Sequence, residues 1–399
     1  MTDKLVSKMK KELGLLKSSD ILAFDQDVSA IPGIIKLTLG EPDFNTPEHV
    51  KEAGQRSIAA NRSHYAPPEG TLGLRRAISR FLAAKYRLNY RADNQILVTA
   101  GATEAIFSTL TAILNRGDKL LIPTPIFPLY IPDALLAGAE PVFIDTSAND
   151  YVLSPQLLEA ALVEHGDAVK AIIFNFPTNP TGVTYRRQAI EALAAVLQKH
   201  AIFVICDEIY SELTYGIPHV SMAEYLPEQA IVINGASKSH AMTGWRIGCI
   251  CGPADIVTEI AKIHQFAVTS TATVAQDAAE EAFAAGADDA AAMRAEYERR
   301  RDFVYEEMCA LGFKCPKPEG AFYLFAKIPD GFIQDSMAFC VDLAHRAKVA
   351  LVPGDSFGPG SAGHIRLSYA ASMEDLREAM RRIRSYVTKE KEKQGGVAQ

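Results

Sequence analysis

The chain has six cysteines, none spaced as Cys-x-x-Cys and none beside a histidine at zinc-ligand spacing. That argues against a zinc module, no metal is expected, and the thiols are read as reduced rather than as a disulfide scaffold. Cys249 and Cys251 would share one face of a strand, a packing arrangement. Most of the six (Cys206, Cys249, Cys251, Cys309, Cys315, Cys340) lie in apolar contexts, where a free thiol acts as a small hydrophobe. The reading is a reduced, cytoplasmic protein. Positive charge is not in excess. The formal net charge is −7, which argues against nucleic acid or an anionic membrane as the main partner. No apolar run is long enough to cross a bilayer. Met1-Thr2-Asp3-Lys4 continues into lysines and reads as neither a signal peptide nor a membrane anchor. No internal repeat is present.

What remains is a chain of 399 residues with 48% hydrophobic content, enough for two modest domains. Residues 1–45 read as a helix followed by an extended entry, with helices at 48–60 and 72–86. From residue 95 to 252, short apolar runs alternate with helix-like segments. The runs are 95–99, 119–122, 141–145, 171–175, 202–206, 231–234 and 247–251. Each is rich in Ile, Val, Leu or Phe, as expected of strands buried on both faces. Helices are expected at 104–114, 154–164 and 186–200. This alternation predicts an α/β domain with a mostly parallel seven-stranded sheet sandwiched by helices. Beyond 252 the pattern changes to helices at 253–286, 287–311, 336–348 and 373–389. Strands are expected at 313–315, 321–326, 349–352 and 364–369, and the tail from Glu390 is expected to fray. The predicted organisation is an N-terminal segment 1–46, a large domain 47–286 and a C-terminal part 287–399. The first and last together form a smaller α+β domain.

Lys238 stands out by its surroundings. It follows the apolar run Ala230-Ile231-Val232-Ile233, and Arg246 lies eight residues later between Gly244 and Gly248. A lysine amine there can form a Schiff base with an aldehyde cofactor, and the arginine can hold a phosphate. A lone lysine after a strand is more often a surface residue, so the neighbours matter. Asn179, Asp207 and Tyr210 also fall just past buried runs. In a parallel sheet all of them converge at the carboxyl ends of the strands. A pyridine-ring cofactor needs a buried carboxylate to keep its ring nitrogen protonated, and Asp207 fits. An aspartate there equally suits a helix N-cap. Tyr210 and Asn179 fit as donors to a phenolic oxygen, or as a core tyrosine and a turn asparagine. Gly101, Ala102 and Thr103, between a strand and a helix, can offer amides to a phosphate or serve only as a helix cap. Phe127 can stack on a ring or be ordinary core. Arg366, inside an alternating strand, needs an anion: a substrate carboxylate or a structural partner.

The segments Asn175-Phe176-Pro177-Thr178-Asn179-Pro180-Thr181-Gly182, Asp207-Glu208-Ile209-Tyr210 and Ser237-Lys238 through Gly248 jointly resemble the pyridoxal-phosphate aminotransferases of fold type I, class I/II. Leu39-Gly40-Glu41-Pro42-Asp43-Phe44, Tyr65-Ala66-Pro67-Pro68-Glu69-Gly70 and Gly320-Ala321-Phe322-Tyr323 add to the likeness, which covers nearly the whole chain. The resemblance implies pyridoxal 5'-phosphate as cofactor, with Lys238 as its covalent anchor and proton shuttle. It implies Asp207 at the ring nitrogen and Asn179 and Tyr210 at the phenolic oxygen. Arg246 with Gly101, Ala102 and Thr103 would hold the phosphate, and Phe127 would stack. Arg366, with Gly40 nearby, would take the α-carboxylate. Tyr65 would reach the phosphate of a neighbouring subunit, which implies a homodimer. One departure is Gly235, where many relatives carry a hydroxyl three positions before the lysine; Ser237 is the candidate replacement.

The expected reaction moves an amino group between an L-amino acid and a 2-oxo acid, 2-oxoglutarate for preference, in two ping-pong halves. The stretch from Asp207 to Tyr215, with Pro218-His219 and 237–248, looks most like bacterial N-acetyl-diaminopimelate aminotransferases, with aromatic and aspartate enzymes as neighbours. A carbon–sulfur lyase on the same scaffold is the alternative. A ligand-sensing regulator would need a separate basic DNA-binding domain, for which the segment before Gly40 is too short.

Overall fold

In the computed structural model, residues 2–16 and 20–396 are described. The chain opens with α1 (Thr2–Val6), α2 (Asp20–Ser29), β1 (Ile35–Lys36), α3 (Glu48–Ala59) and α4 (Leu72–Tyr86). Next come β2 (Ile96–Thr99), α5 (Gly101–Ile113), β3 (Lys119–Thr124), α6 (Tyr130–Ala137), β4 (Glu140–Asp145), α7 (Pro155–His165), β5 (Val169–Asn175), α8 (Arg187–Leu197) and β6 (Phe203–Asp207). The middle closes with β7 (Ala230–Gly235), α9 (Ala236–Ser239), β8 (Gly248–Cys251), α10 (Ala254–Val268) and α11 (Thr273–Ala285). The last part holds α12 (Ala290–Ala310), β9 (Tyr323–Lys327), α13 (Ser336–Ala347), β10 (Val349–Ala350), β11 (Val352–Pro353), β12 (His364–Ser368) and α14 (Met373–Gly396).

Local chemistry explains where the helices start and stop. Thr71 caps α4 by accepting the Leu74 N–H at 3.3 Å, and the helix ends at Arg87 in the left-handed region. Ser154 caps α7 in the same way, with Pro155 in its first turn. Asp335 caps α13 through the Ala338 N–H at 2.7 Å.

The seven expected strands form one sheet in the order β2-β8-β7-β6-β5-β3-β4. All neighbours run parallel except β8, which is antiparallel to both β2 and β7. Side chains on successive strand residues face opposite layers. Ile172, Phe174, Val204 and Val232 pack under α4, α7, α8 and α11. Ala171, Ile173, Ile205 and Ile231 pack under α5, α6 and α10. Cys249 and Cys251 do share a face, inside the first of these cores. A separate core joins α12, α13, α14 and the three-stranded sheet β11-β12-β9 to Phe24, Val28 and Leu37 from the N-terminal segment. Among the described residues, no helix is long and apolar enough to cross a membrane.

Several expectations need correction. The helix expected at 104–114 begins at Gly101, because Gly101 at φ +81 lets the chain turn straight from β2 into the helix. The single helix expected over 253–286 is two, broken where Thr269 takes φ +65. No strand forms at 313–315; Lys314 makes an isolated bridge to Lys327. The strand expected at 349–352 divides between two sheets, β10 pairing with β1 and β11 with β12. Helix α6 was not foreseen: its eight residues lie between two strands and include Pro132, which masks helical periodicity. The tail expected to fray from Glu390 is helical to Gly396, with Glu390 paired to Arg346 and Lys393. Residues 397–399 of that tail lie outside the described residues.

Candidate active site

Parallel strands deliver their carboxyl ends to one edge of the sheet, and the antiparallel β8 starts at that same edge. Asn175 ends β5, Asp207 ends β6 and Gly235 ends β7 beside Gly248 of β8. Lys238 follows on the short helix α9. The sequence brings these side chains together because each follows its strand by only a few residues.

Asp207 is buried. Its Oδ2 accepts the Tyr130 hydroxyl at 2.6 Å and its Oδ1 accepts the Ile209 N–H at 3.2 Å. Burial pushes its pKa up to about 6, against the pull of those two hydrogen bonds. It has no ion-pair partner among the described residues, so the site would favour a cationic group against this carboxylate. Lys238 Nζ donates to the Gly40 carbonyl. It lies 5.7 Å from the Tyr210 ring centroid and 5.8 Å from that of Phe322. Burial, opposed by Glu41, lowers its pKa to about 8, with Arg246 and Arg366 pushing further down. A lysine so placed loses its proton at lower pH than one in water, as an amine nucleophile or proton carrier requires.

Tyr210 OH is 2.7 Å from Tyr323 OH. Tyr323 also presses on Gly40, where any Cβ would lie 2.5 Å from its hydroxyl oxygen. Arg366 is fully enclosed. Its Nη1 donates to Asn179 Oδ1 at 2.9 Å and its Nη2 to the Thr38 carbonyl at 2.6 Å. The guanidinium sits between the Tyr323 and Phe357 rings, 4.5 and 5.0 Å from their centroids. Its Nε is buried without a partner. A planar cation held flat, with an unspent donor, is suited to a carboxylate.

Gly101, Ala102 and Thr103 open α5, whose N-terminal amides are suited to an anion. Arg246 covers it: a side chain on Gly101 would collide with the Arg246 guanidinium. Phe127 packs edge-on to Tyr130 at 5.8 Å, near Asp207. Ser237 is buried in α9. The missing hydroxyl at Gly235 has a steric cause, since a Cβ there would lie 2.7 Å from the Ile247 carbonyl oxygen and 2.9 Å from Gly248 Cα. Tyr65 is 88% exposed and makes none of the hydrogen bonds or ring contacts described above.

Two participants went unnoticed in the sequence reading. Tyr130, which holds Asp207, sits on the unforeseen α6. Tyr323 lay within a family motif but was given no role. A buried network behind Asp207 was also missed: Glu208 accepts the Ser221 hydroxyl at 2.6 Å and meets His219 Nε2 at 2.9 Å. A strand end followed by paired acids was the available signal.

A buried carboxylate at one strand end, a lysine just past the neighbouring one, a helix start suited to an anion and an enclosed arginine define an enzyme of amino- and oxo-acid chemistry. The chain belongs to the family "Aminotransferase class I and II", whose model matches residues 32–383. It is 44% identical over 379 residues to a probable N-acetyl-LL-diaminopimelate aminotransferase of Bacillus subtilis, covering 95% of this chain and 94% of that protein. It is 37% identical to the aspartate aminotransferase of the same organism, covering 96% and 99%. The structure of the Thermus thermophilus aspartate aminotransferase with maleate superposes with a TM-score of 0.88 at 35% identity, covering 94% of this chain and 99% of that one. The aromatic aminotransferase of Pyrococcus horikoshii gives 0.86 at 35% identity, covering 92% and 99%. The α/β fold with a mostly parallel seven-stranded sheet and the aminotransferase activity are thereby established.

Proposed function

We propose that the enzyme uses pyridoxal 5'-phosphate to move an amino group between an L-amino acid and a 2-oxo acid, by a ping-pong mechanism. The residues present fit that group at both ends. Asp207 offers a buried carboxylate for a protonated ring nitrogen, and Arg246 with the amides of Gly101, Ala102 and Thr103 offers a cationic cradle for a phosphate. When bound, the cofactor supplies an electron sink for the charge left when the α-proton departs. Lys238 would hold it, and the lowered pKa of its amine would suit that side chain to carry a substrate proton. Tyr210 and Asn179 would serve as donors to its phenolic oxygen, Phe127 would stack on its ring, and Ser237 would add a hydroxyl for its phosphate. Arg366, beside Gly40, orients the substrate by its α-carboxylate. The observation that carries this reading is Asp207 at the end of β6 with Lys238 on the short helix α9 that directly follows the neighbouring strand β7.

The names of the relatives support N-acetyl-LL-diaminopimelate as amino donor, with aspartate and aromatic donors next; 2-oxoglutarate is our reading for the acceptor. Tyr65 completes the site of a second copy in a homodimer, which accounts for so exposed an aromatic. The fold is read as a large domain 47–286 and a small one from 1–46 and 287–399, in a cytoplasmic enzyme. Assay of a panel of amino donors with 2-oxoglutarate tests the reading. Parallel double-reciprocal lines are expected; pyruvate release from cystathionine without an oxo acid would indicate the lyase instead.

A further inference from the structure

Four of the six thiols, Cys206, Cys249, Cys251 and Cys340, are buried in the cores. The two that are not, Cys309 and Cys315, are each other's neighbours, with their sulfurs 4.0 Å apart. The backbone causes this meeting. Cys309 lies in the last turn of α12, and the chain then reverses at Gly312, at φ +97. The Phe313 N–H donates to the Met308 carbonyl at 3.1 Å, and the Phe313 side chain is buried. The Lys327 N–H donates to the Lys314 carbonyl at 2.8 Å, fixing the returning chain against β9. Cys315 is thereby held alongside the helix end. Among the described residues, no group of three or more His, Cys, Asp or Glu side chains is placed to hold a metal ion, so the pair is a dithiol and not part of a metal centre.

We propose that Cys309 and Cys315 form an oxidisable dithiol site, converted by hydrogen peroxide to an intrachain disulfide. The exposed Cys309 is the attacking thiol. Its thiolate bonds to one peroxide oxygen, the O–O bond breaks, and the departing hydroxide takes a proton to leave as water. Cys309 is then a sulfenic acid. The Cys315 sulfur attacks the Cys309 sulfur, the S–O bond breaks, and the hydroxyl leaves with the Cys315 proton as a second water. Two thiols and one peroxide give one disulfide and two waters; the sulfurs lose two electrons and the peroxide gains them. The order follows from accessibility. Burial, and then the neighbouring Cys309, hold Cys315 in its thiol form. A disulfide needs its sulfurs about 2.05 Å apart, and rotation of the exposed Cys309 side chain supplies most of the approach. The pair lies about 13 Å along α12 from Arg300, which holds Asp43 near the cleft. Transamination is therefore expected to be unaffected, and the proposal stands independently of the cofactor assignment.

Trypsin cuts between the two cysteines, after Lys314, so the bond is read directly. Folded wild-type enzyme should show two reactive thiols before peroxide and none after, with four more appearing on unfolding. Tryptic peptides 302–314 and 315–327 should then migrate as one disulfide-linked species, separated again by a reductant. Cys315→Ser should instead leave a sulfenic acid at Cys309 that dimedone traps, whereas wild type traps little. Phenylarsine oxide, which bridges two thiols, should protect both in wild type and should not protect the remaining Cys315 in Cys309→Ser. Peptides that stay unlinked while Cys309 passes to sulfinic acid would overturn the proposal. So would links only between chains, or dimedone trapping equal in wild type and Cys315→Ser.

Discussion

At the scale of single residues, Asp207 and Arg366 show how the protein keeps charge inside a dry cleft. Burial alone would neutralise the carboxylate; the Tyr130 hydroxyl and the Ile209 amide oppose this. Tyr130→Phe removes the stronger donor, and a hydrogen bond to a charged group is worth about 1.5–3 kcal/mol. The pKa of Asp207 then rises further. Since Asp207 must be ionised, the acid limb of the pH–rate profile should move to higher pH, and kcat/KM should fall about tenfold or more. An unchanged acid limb would separate Tyr130 from the carboxylate's ionisation. Arg366→Lys keeps the charge but loses the fork that engages Asn179 and Thr38. Steady-state kinetics should show a raised KM for both the amino donor and the oxo acid, and kcat/KM lowered about 10–100-fold. Most of these residues were legible because each sits in a motif just past an apolar run. Tyr130 was not: nothing in Phe127-Pro128-Leu129-Tyr130 says that its hydroxyl will cross to a strand end more than seventy residues later.

At the scale of elements, the cofactor edge is built by close backbone approach. Gly235 and Gly248 are register partners, and β8 leans on the start of α5. Gly235→Ser would introduce the hydroxyl that the family resemblance leads one to expect there, yet its Cβ would overlap the Ile247 carbonyl and Gly248 Cα. A loss of about 1–3 kcal/mol in thermal or denaturant unfolding is expected, with weaker cofactor binding. Stability at or above wild type, with tighter binding, would show that β8 yields at little cost. The sheet was readable because its strands are short, apolar and β-branched, and burial on both faces leaves that signature. Element limits were harder to read. The break at Thr269 and the early start of α5 depend on one or two residues at positive φ, which hydrophobic periodicity does not register. Residues 349–352 serve two sheets at once, a tertiary fact with no local mark.

At the scale of the whole molecule, the N-terminal segment, the large sheet and the C-terminal part meet around the cleft. One long-range contact is titratable. His49 on α3 reaches Glu281 Oε1 at 3.1 Å and Asp289 Oδ2 at 2.8 Å. Burial opposes its protonation, but the two carboxylates outweigh this and raise its pKa above the ordinary 6.5. A raised folded-state pKa makes the contribution complete below pH 6.5 and removes it as pH climbs through the folded value. The melting-temperature gap between wild type and His49→Ala should be widest near about pH 6 and should narrow toward about pH 8.5. A gap independent of pH would mean that His49 acts by packing alone. Tyr65 belongs to the same scale, since the role proposed for it requires a second copy. Tyr65→Phe should weaken cofactor affinity while sedimentation still reports a dimer. The proposal of a homodimer rests on resemblance alone, because a single exposed tyrosine does not name its partner.

The most direct test is to load the purified protein with pyridoxal 5'-phosphate, reduce it with borohydride and map the peptides. The expected result is one pyridoxyl-modified lysine, at position 238, in a protein that was coloured before reduction. A colourless protein, or label spread over surface lysines with position 238 unmodified, would contradict it.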